Sequence, residues 1–309
     1  MPYLEQLTVR LAAGAMRLPE EIRRRHAALL ADAQDPDGGF AGRQGPSDLY
    51  YTGFALRGLA LLGGLSEKVA ARAGSFLAQR LADETPSIDF VSLVFSAVLL
   101  ETLCGIDVFA HAGRDPQPTV AATLDRFRRS DGGYAKTDRS PHGSTYHTFL
   151  AAACKQLVRL PLDDAPQMVE LVRSRRRDDG GFVELGQLRQ SGTNPTAAGV
   201  GLLRLADSLD EPTREHAAAF VAGMQTAEGG FRANRRIPVA DLLSTFTALV
   251  TLADLDALAA VDLAHARRYA ESLERPEGGF RGGAWDDAAD VEYTFYGLGT
   301  LALLTGLDG

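Results

Sequence analysis

The sequence has few cysteines, the residues that form disulfide bonds and bind metals as thiolates. It contains only 2 cysteines in 309 residues, Cys104 and Cys154, and each lies in an apolar run, VLLETLC and FLAAAC. A disulfide framework is therefore excluded, and both side chains are expected to be small buried hydrophobic groups. No CxxC pair or other paired metal-ligand spacing occurs.

Long hydrophobic runs and an excess of positive charge are also missing. The longest apolar runs, YTGFALRGLALLGGL and FVSLVFSAVLLETL, fall short of the ~18–20 residues of a membrane-spanning helix, and the first contains Arg57. The start, MPYLEQLTVR, lacks the regions of a signal peptide. With 32 Lys and Arg against 40 Asp and Glu, the net charge is −8, which repels nucleic acid and anionic membranes. We expect a soluble, cytoplasmic protein without a nucleic-acid partner.

Glycine, by contrast, is frequent and regularly spaced. Five Gly-Gly-aromatic triplets begin at Gly38, Gly132, Gly180, Gly229 and Gly278, so the steps between them are 94, 48, 49 and 49 residues. The first step is about twice the others, which predicts a sixth copy without its glycines near residue 85, in LADETPSIDF. A fixed period of this length is typical of a repeat architecture.

A threonine follows each aromatic residue at a nearly fixed distance. The distance is 12 residues in the first copy and 14 in the others, and Ser92 takes the place of the threonine in the degenerate copy. The threonines are Thr52, Thr148, Thr196, Thr245 and Thr294. This double spacing indicates that the two landmarks belong to one structural unit.

Each unit has the pattern of two helices. The segment before the glycines is amphipathic, and the segment after the threonine is apolar almost all round, as in TFTALVTLADL. Asp48, Asp241 and Asp290 stand four residues before their threonines, where an N-cap belongs. The sequence therefore predicts an all-α, (α/α)6 toroid of twelve helices in a single domain spanning 1–309. The six repeats are expected at about residues 18–65, 66–112, 113–160, 161–210, 211–258 and 259–309.

The unit GGF…D-x-x-x-T followed by an apolar helix resembles the repeat of protein prenyltransferase β subunits, squalene–hopene cyclases and related terpene cyclases. The resemblance covers about residues 18–306, and the chain is closest in size to the β subunits. It implies an isoprenoid bound in a central cavity. In the prenyltransferases an α subunit is obligatory, and the sequence leaves open whether this chain has such a partner or a second copy of itself.

The zinc site of the prenyltransferases is only partly matched. The resemblance places Asp241 at the Asp ligand, but Leu243 stands at the Cys position and Tyr293 at the His position. Leucine cannot bind zinc, so we predict no metal and no other cofactor. His147 occupies the same register as Tyr293 in another repeat, either as an acid/base or relocated ligand on the cavity wall, or as a histidine bonded to a neighbouring backbone group.

The last repeat also resembles the D-x-D-D-T motif of class II terpene cyclases, whose middle Asp protonates an alkene or epoxide. Here Glu292 takes the middle position, Asp290 the first, and Tyr293 replaces the last Asp. A carboxylic acid in an apolar cavity has a raised pKa and can donate a proton. The alternative is that Asp290 is a helix cap and Glu292 a first-turn acid favoured by the helix dipole.

The resemblance further suggests where a substrate binds. The loop of the fifth repeat carries basic residues placed like a diphosphate-binding pair of the β subunits. The candidate diphosphate ligands are Arg232, Arg235, Arg236 and Arg281, and their alternative role is as solvated surface residues. The aromatic candidates for the cavity wall are Tyr50, Tyr51, Tyr146, Phe246, Tyr296 and Trp285. Either these rings line a site for an isoprenoid or they fill the barrel as core.

Three functions remain open at this point. The first is an enzyme like a prenyltransferase β subunit that binds a prenyl diphosphate, with the zinc site degraded. The second is a small proton-initiated terpene cyclase that uses Glu292 with Asp290. The third is a non-catalytic binding toroid.

Overall fold

The structure, a computed structural model, describes residues 1–81 and 87–307. Its helices in chain order are α1 (Tyr3–Ala15), α2 (Glu20–Asp32), α3 (Leu49–Leu62), α4 (Glu67–Arg80), α5 (Ser87–Cys104), α6 (Val108–His111), α7 (Pro116–Asp125), α8 (Thr145–Leu157), α9 (Ala165–Ser174), α10 (Thr193–Leu205), α11 (Glu211–Ala222), α12 (Leu242–Asp254), α13 (Leu263–Ser272) and α14 (Val291–Gly306). A 3-10 turn spans Leu258–Ala260, and two short antiparallel strands, β1 (Phe280–Arg281) and β2 (Ala289–Asp290), pair Phe280 with Asp290.

The predicted toroid is confirmed. Six inner helices, α3, α5, α8, α10, α12 and α14, alternate along the chain with six outer helices, α2, α4, α7, α9, α11 and α13. The inner helix α14 is buried on nearly all sides, whereas the outer helix α13 buries only Ala266, Tyr269 and Ala270. This difference follows from the apolar and amphipathic patterns of the two segments. The degenerate glycine position near residue 85 lies outside the described residues.

Hydrogen bonds explain why the aromatic residue and the threonine recur together. The Thr245 hydroxyl accepts the backbone N–H of Phe231 at 2.9 Å and donates to the Asp241 carbonyl at 2.7 Å. The same pair of bonds recurs at Thr148 and Thr196. A hydroxyl can donate and accept at once, so one threonine ties the glycine loop to the first turn of the inner helix.

The first glycine of each pair connects one repeat to the next. Gly180 has φ +86°, and a Cβ on it would lie 2.5 Å from the carbonyl oxygen of His216 on the next outer helix. Gly229 has φ +95° and the same distance to the His265 carbonyl. Only glycine satisfies both the left-handed backbone and this close approach.

The inner helices begin at one end of the ring, which we call the mouth. Asp48, Asp241 and Asp290 cap them there, accepting from the backbone N–H three residues on at 2.7, 2.7 and 2.8 Å. The predicted N-caps are therefore confirmed.

The last repeat packs against the first and closes the ring. The buried His26 ring stacks on Phe280 with centroids 5.1 Å apart, and its Nδ1 accepts the Gly279 N–H at 3.0 Å. Its Nε2 lies 3.0 Å from Glu274. At the mouth, Arg43 forms a bidentate ion pair with Asp286. Burial lowers the pKa of His26, so this seam is held by a neutral imidazole.

Helix α1, which the repeat pattern does not predict, covers the opposite end. The Tyr3 hydroxyl donates to Asp254 at 2.6 Å, the Tyr3 N–H donates to Gln156 at 2.6 Å, and Arg17 reaches the Thr305 carbonyl at 3.4 Å. These partners lie where α12, α8 and α14 end, so α1 closes that end of the ring. Within 1–81 and 87–307, every helix is too short or too polar to cross a membrane.

Candidate active site

A cavity of about 500 Å³ lies inside the ring of inner helices. Its size falls within the ~300–1,000 Å³ of small-molecule sites. The wall nearest the mouth, which we call the upper wall, is formed by the residues two positions before the threonines. These are Tyr50, Tyr146, Asn194 and Leu243, and α1 contributes Leu4, Leu7 and Leu11 to the lining. The barrel is therefore not filled completely by its own side chains.

Glu292 has the same register in the sixth repeat as the upper-wall residues. Its carboxyl accepts a hydrogen bond of 2.7 Å from the hydroxyl of Tyr50, which lines the cavity. Burial raises the pKa of Glu292, and the charge of Asp290 adds to the effect. Burial also raises the pKa of Tyr50 far above its ordinary value, so the phenol stays protonated. A carboxyl in this state can supply a proton to a neighbouring group.

Asp290, unlike Glu292, is bonded to the start of a helix and to an arginine. One of its oxygens caps α14, and the other accepts from Nε of Arg43 at 2.8 Å. Both oxygens are thus engaged by hydrogen-bond donors. Tyr293 lies beneath the Arg43 guanidinium, 5.6 Å from it, and burial raises its pKa to about 12. Glu292 is therefore the member of this group that is suited to donate a proton.

Four of the six predicted aromatic residues line the cavity: Tyr50, Tyr146, Phe246 and Tyr296. They form part of a cluster of rings in edge contact, such as Phe246 and Phe295 with centroids 5.6 Å apart. Tyr51 packs against Tyr50 and is not part of the lining, and Trp285 is 58% exposed. Such a wall suits an unsaturated hydrocarbon chain.

Arg57 is a cavity residue that the sequence analysis did not identify as functional. Its guanidinium lies over the rings of Phe54, Phe295 and Phe95, at 4.1, 4.8 and 5.4 Å. It stands five residues after Thr52, and the same position holds only small or apolar residues in the other GGF-type repeats. Those residues are Ala153, Gly201, Val250 and Gly299. This single charged residue in an otherwise apolar repeat position was the available signal.

His147 is buried beside the cavity lining but is not part of it. Its Nδ1 lies 2.8 Å from the Ser144 hydroxyl and 3.9 Å from Glu184, and its Nε2 has no hydrogen-bond partner among the described residues. Burial lowers its pKa to about 4, so the ring is neutral. A Ser-His-acid relay needs the serine and the acid on opposite ring nitrogens, and here both face Nδ1.

The residues at the expected zinc position do not fit the metal. Both Asp241 carboxylate oxygens are engaged by Ser244, one by the backbone N–H at 2.7 Å and one by the hydroxyl at 2.8 Å. Leu243 lines the cavity where a thiolate would be needed. In the described part of the chain, no group of three or more His, Cys, Asp and Glu side chains could hold a metal ion.

The structure does not bring the predicted diphosphate ligands together around the cavity. Arg281 donates to the Ser272 carbonyl at 3.1 Å, and Arg232 to the Gly223 carbonyl at 3.5 Å. Both carbonyls lie at the ends of outer helices. Arg235 lies over the ring of Phe220 on α11, and Arg236 is exposed. Their assignment as diphosphate ligands remains a prediction.

Comparison with known proteins identifies the family of this fold. The family model described as "Prenyltransferase alpha-alpha toroid domain" matches residues 9–211 and 196–309. No curated protein sequence matches the chain.

Solved structures share the fold at low sequence identity. Protein geranylgeranyltransferase-I of Candida albicans, complexed with GGPP, has a TM-score of 0.71 at 14% identity, covering 91% of each chain. A variant of the type II terpene cyclase MstE of Scytonema, in complex with geranylgeranyl dihydroxybenzoate, has a TM-score of 0.63 at 14% identity, covering 98% of each chain. An α-1,6-mannanase of Salegentibacter has a TM-score of 0.63 at 10% identity, and the match covers 93% of this chain and 99% of the mannanase chain. The toroid thus occurs with unrelated chemistries. Since the family model spans nearly the whole sequence, the chain belongs to the prenyltransferase α/α toroid domain family.

Proposed function

We propose that this protein binds an isoprenoid chain in its central cavity and cyclises it by a proton-initiated reaction in which Glu292 is the acid. The observation that carries the proposal is the Tyr50–Glu292 pair, in which a carboxyl with a raised pKa is hydrogen-bonded to a phenol that lines an aromatic cavity. The similarity to a type II terpene cyclase in complex with a prenylated substrate supports it at the level of the fold.

The reaction needs no co-reactant. Tyr50 holds one oxygen of Glu292, and the proton on the carboxyl passes to one carbon of an alkene, which leaves a carbocation on the other carbon. A second alkene of the chain closes the ring by supplying its electron pair. Loss of a proton from the cyclised cation to a base yields an isomer of the substrate, and Glu292 is reprotonated from water. Aromatic faces stabilise such cations, and the cavity provides Phe246 and Tyr296.

Binding of a prenyl diphosphate, the first hypothesis from the sequence, is the second candidate. The inner-helix N-termini at the mouth favour it, because they carry partial positive charge. The carboxyl groups there oppose it, since Glu184 lines the cavity and Asp241 caps α12 at the mouth. Arg43 is already paired with Asp286. The open cavity also gives less support to a non-catalytic toroid filled by its core. For either reaction we propose a cytoplasmic location.

Product analysis of a matched pair of variants tests the proposal. Purified protein is incubated with linear C10 to C20 isoprenoid alcohols, acids and diphosphates, and isomeric cyclic products are sought by mass spectrometry. Glu292→Gln is expected to slow turnover by ~10²–10⁴-fold, the usual effect of a general acid. Glu215→Gln, an exposed change on α11, is the control and is expected to keep full turnover. Full turnover in Glu292→Gln would contradict the proposal.

A further inference from the structure

The proposed function does not use the most unusual group in the cavity, the guanidinium of Arg57. Arg57 lies two helical turns below the upper wall of the cavity, on the face of α3 that also carries Tyr50 and Leu61, and all three line the cavity. Its aromatic neighbours enclose it on several sides, with Phe54 and Phe295 closest. A permanent charge is thus placed in the middle of an apolar cavity.

Most of the donors of this guanidinium have no protein acceptor. Nε donates to the Gly53 carbonyl at 2.8 Å, within the same helix. Among residues 1–81 and 87–307, no other acceptor bonds Arg57 and no carboxylate pairs with it. A guanidinium has five N–H donors and keeps its charge in proteins, and an unpaired buried charge is costly. The four N–H groups at the two terminal nitrogens are therefore available to a ligand.

The charge of Arg57 also limits what the aromatic wall can do alone. Phe295 lines the cavity, and the face of its ring that would attract a carbocation already faces the guanidinium. Two positive charges in one poorly solvated cavity repel each other. A negative group on the substrate, paired with Arg57, removes this repulsion and restores the cavity as a site for a cation.

We propose that Arg57 binds the carboxylate of an isoprenoid acid, so that the substrate of this cavity is a prenyl chain with a single negative charge. The inference rests on the proposed isoprenoid-binding function. A planar guanidinium matches a carboxylate with two parallel hydrogen bonds. One cation offsets one negative charge, whereas a diphosphate would bring further charge next to Glu184 and the Tyr50–Glu292 pair. The wall between Arg57 and the Tyr50–Glu292 pair, which includes Phe246 and Tyr296, is the surface for the hydrocarbon chain, so that an alkene lies next to the acid.

Titration calorimetry with three probes of the same chain length tests this assignment. The probes are farnesoic acid, farnesol and farnesyl diphosphate. For the wild-type protein we expect the acid to bind about 10- to 100-fold more tightly than the alcohol, the range for hydrogen bonds to a charged group. In Arg57→Gln this preference is expected to disappear while farnesol binding is kept, and Arg57→Lys should keep part of it. Arg173→Gln, a change on the outer helix α9, is the control that should bind as wild type.

Several results would overturn the inference. These are equal binding of acid and alcohol by the wild-type protein, a preference for the acid that survives in Arg57→Gln, tighter binding of the diphosphate than of the acid, and no binding of any probe. The first, third and fourth need no variant, so they decide the question even if Arg57→Gln does not fold. Glu292→Gln separates the two proposals, because it should bind farnesoic acid as wild type and lose only turnover. If the wild-type protein prefers the acid through Arg57 but forms no cyclic product, only the proposed reaction fails.

Discussion

The hydroxyl of Tyr50 donates a 2.7 Å hydrogen bond to the carboxyl of Glu292, 242 residues away in sequence. The bond joins the first inner helix to the last at the mouth of the ring, so it exists only because the toroid closes. Ring closure thus completes the candidate site: the first repeat supplies the phenol and Arg57, and the sixth supplies the acid.

Tyr50→Phe should change the acid without removing it. The hydrogen bond from Tyr50 lowers the pKa of Glu292 against the effect of burial, so its loss should raise that pKa further. We expect turnover to fall about tenfold, the value of one positioned hydrogen bond, and the alkaline limb of the pH–rate profile to move to higher pH. Tyr269→Phe is the matched control, because that buried hydroxyl has no partner in the described structure. An unchanged pH–rate profile in Tyr50→Phe would show that the hydrogen bond from Tyr50 does not determine the pKa of Glu292.

Glu292 should destabilise the folded protein as the pH rises. Its folded pKa lies above its ordinary value, so the group favours the folded state below the unfolded pKa and loses that contribution as the pH rises through the folded pKa. Glu292→Gln removes the titration. Thermal unfolding of both proteins from pH 4 to pH 8 should therefore show the variant gaining stability relative to wild type as the pH increases. A gap that is constant over this range would mean that Glu292 is not perturbed in the folded protein.

Alanine substitutions in the glycine loops should lower the stability of the protein by different amounts. Gly45→Ala and Gly180→Ala both place a Cβ on a left-handed residue, with φ +91° and +86°. The Cβ at Gly45 meets open space, whereas at Gly180 it would lie 2.5 Å from the His216 carbonyl. We expect a loss of about 1 kcal/mol for Gly45→Ala and at least about 3 kcal/mol for Gly180→Ala. Denaturant unfolding measures both losses, and equal losses would show that the close contact between repeats does not affect stability.

The side chains at the family's zinc position predict a metal-free protein. Asp241 caps α12 with one oxygen and accepts from the Ser244 hydroxyl with the other, and Leu243 and Tyr293 offer no thiolate or imidazole. Elemental analysis is expected to find no stoichiometric zinc, and chelators should change neither melting nor turnover. About one zinc per chain, lost together with activity in Asp241→Ala, would restore metal-assisted prenyl transfer.

The repeat made the fold predictable from sequence. Threonines such as Thr245 and caps such as Asp241 act within one unit, and glycines such as Gly180 meet the next unit, all at fixed spacing, so their pattern is visible in the chain itself. Helix α1 was missed because its contacts, such as Tyr3 with Asp254, have no counterpart in the repeat.

The candidate site was predictable only in part. Glu292 and Tyr50 could each be named from their positions at the start of an inner helix, but their hydrogen bond depends on ring closure. The arginines after the aromatic residues remain a predicted anion site, and Arg281 bonds the end of its own outer helix. Arg57 was visible in the sequence as a charged residue at an apolar repeat position, but only the placement of the inner helix shows that it faces the cavity.

Proton-initiated cyclisation by Glu292 is tested most directly by turnover in D2O. A carboxyl that protonates an alkene exchanges with solvent, so each molecule of cyclic product should carry one deuterium on the carbon that was protonated, seen as a mass increase of one unit per product. Glu292→Gln should form no such product. A product without deuterium, formed with release of diphosphate, would contradict the account and assign the cavity to prenyl diphosphate chemistry.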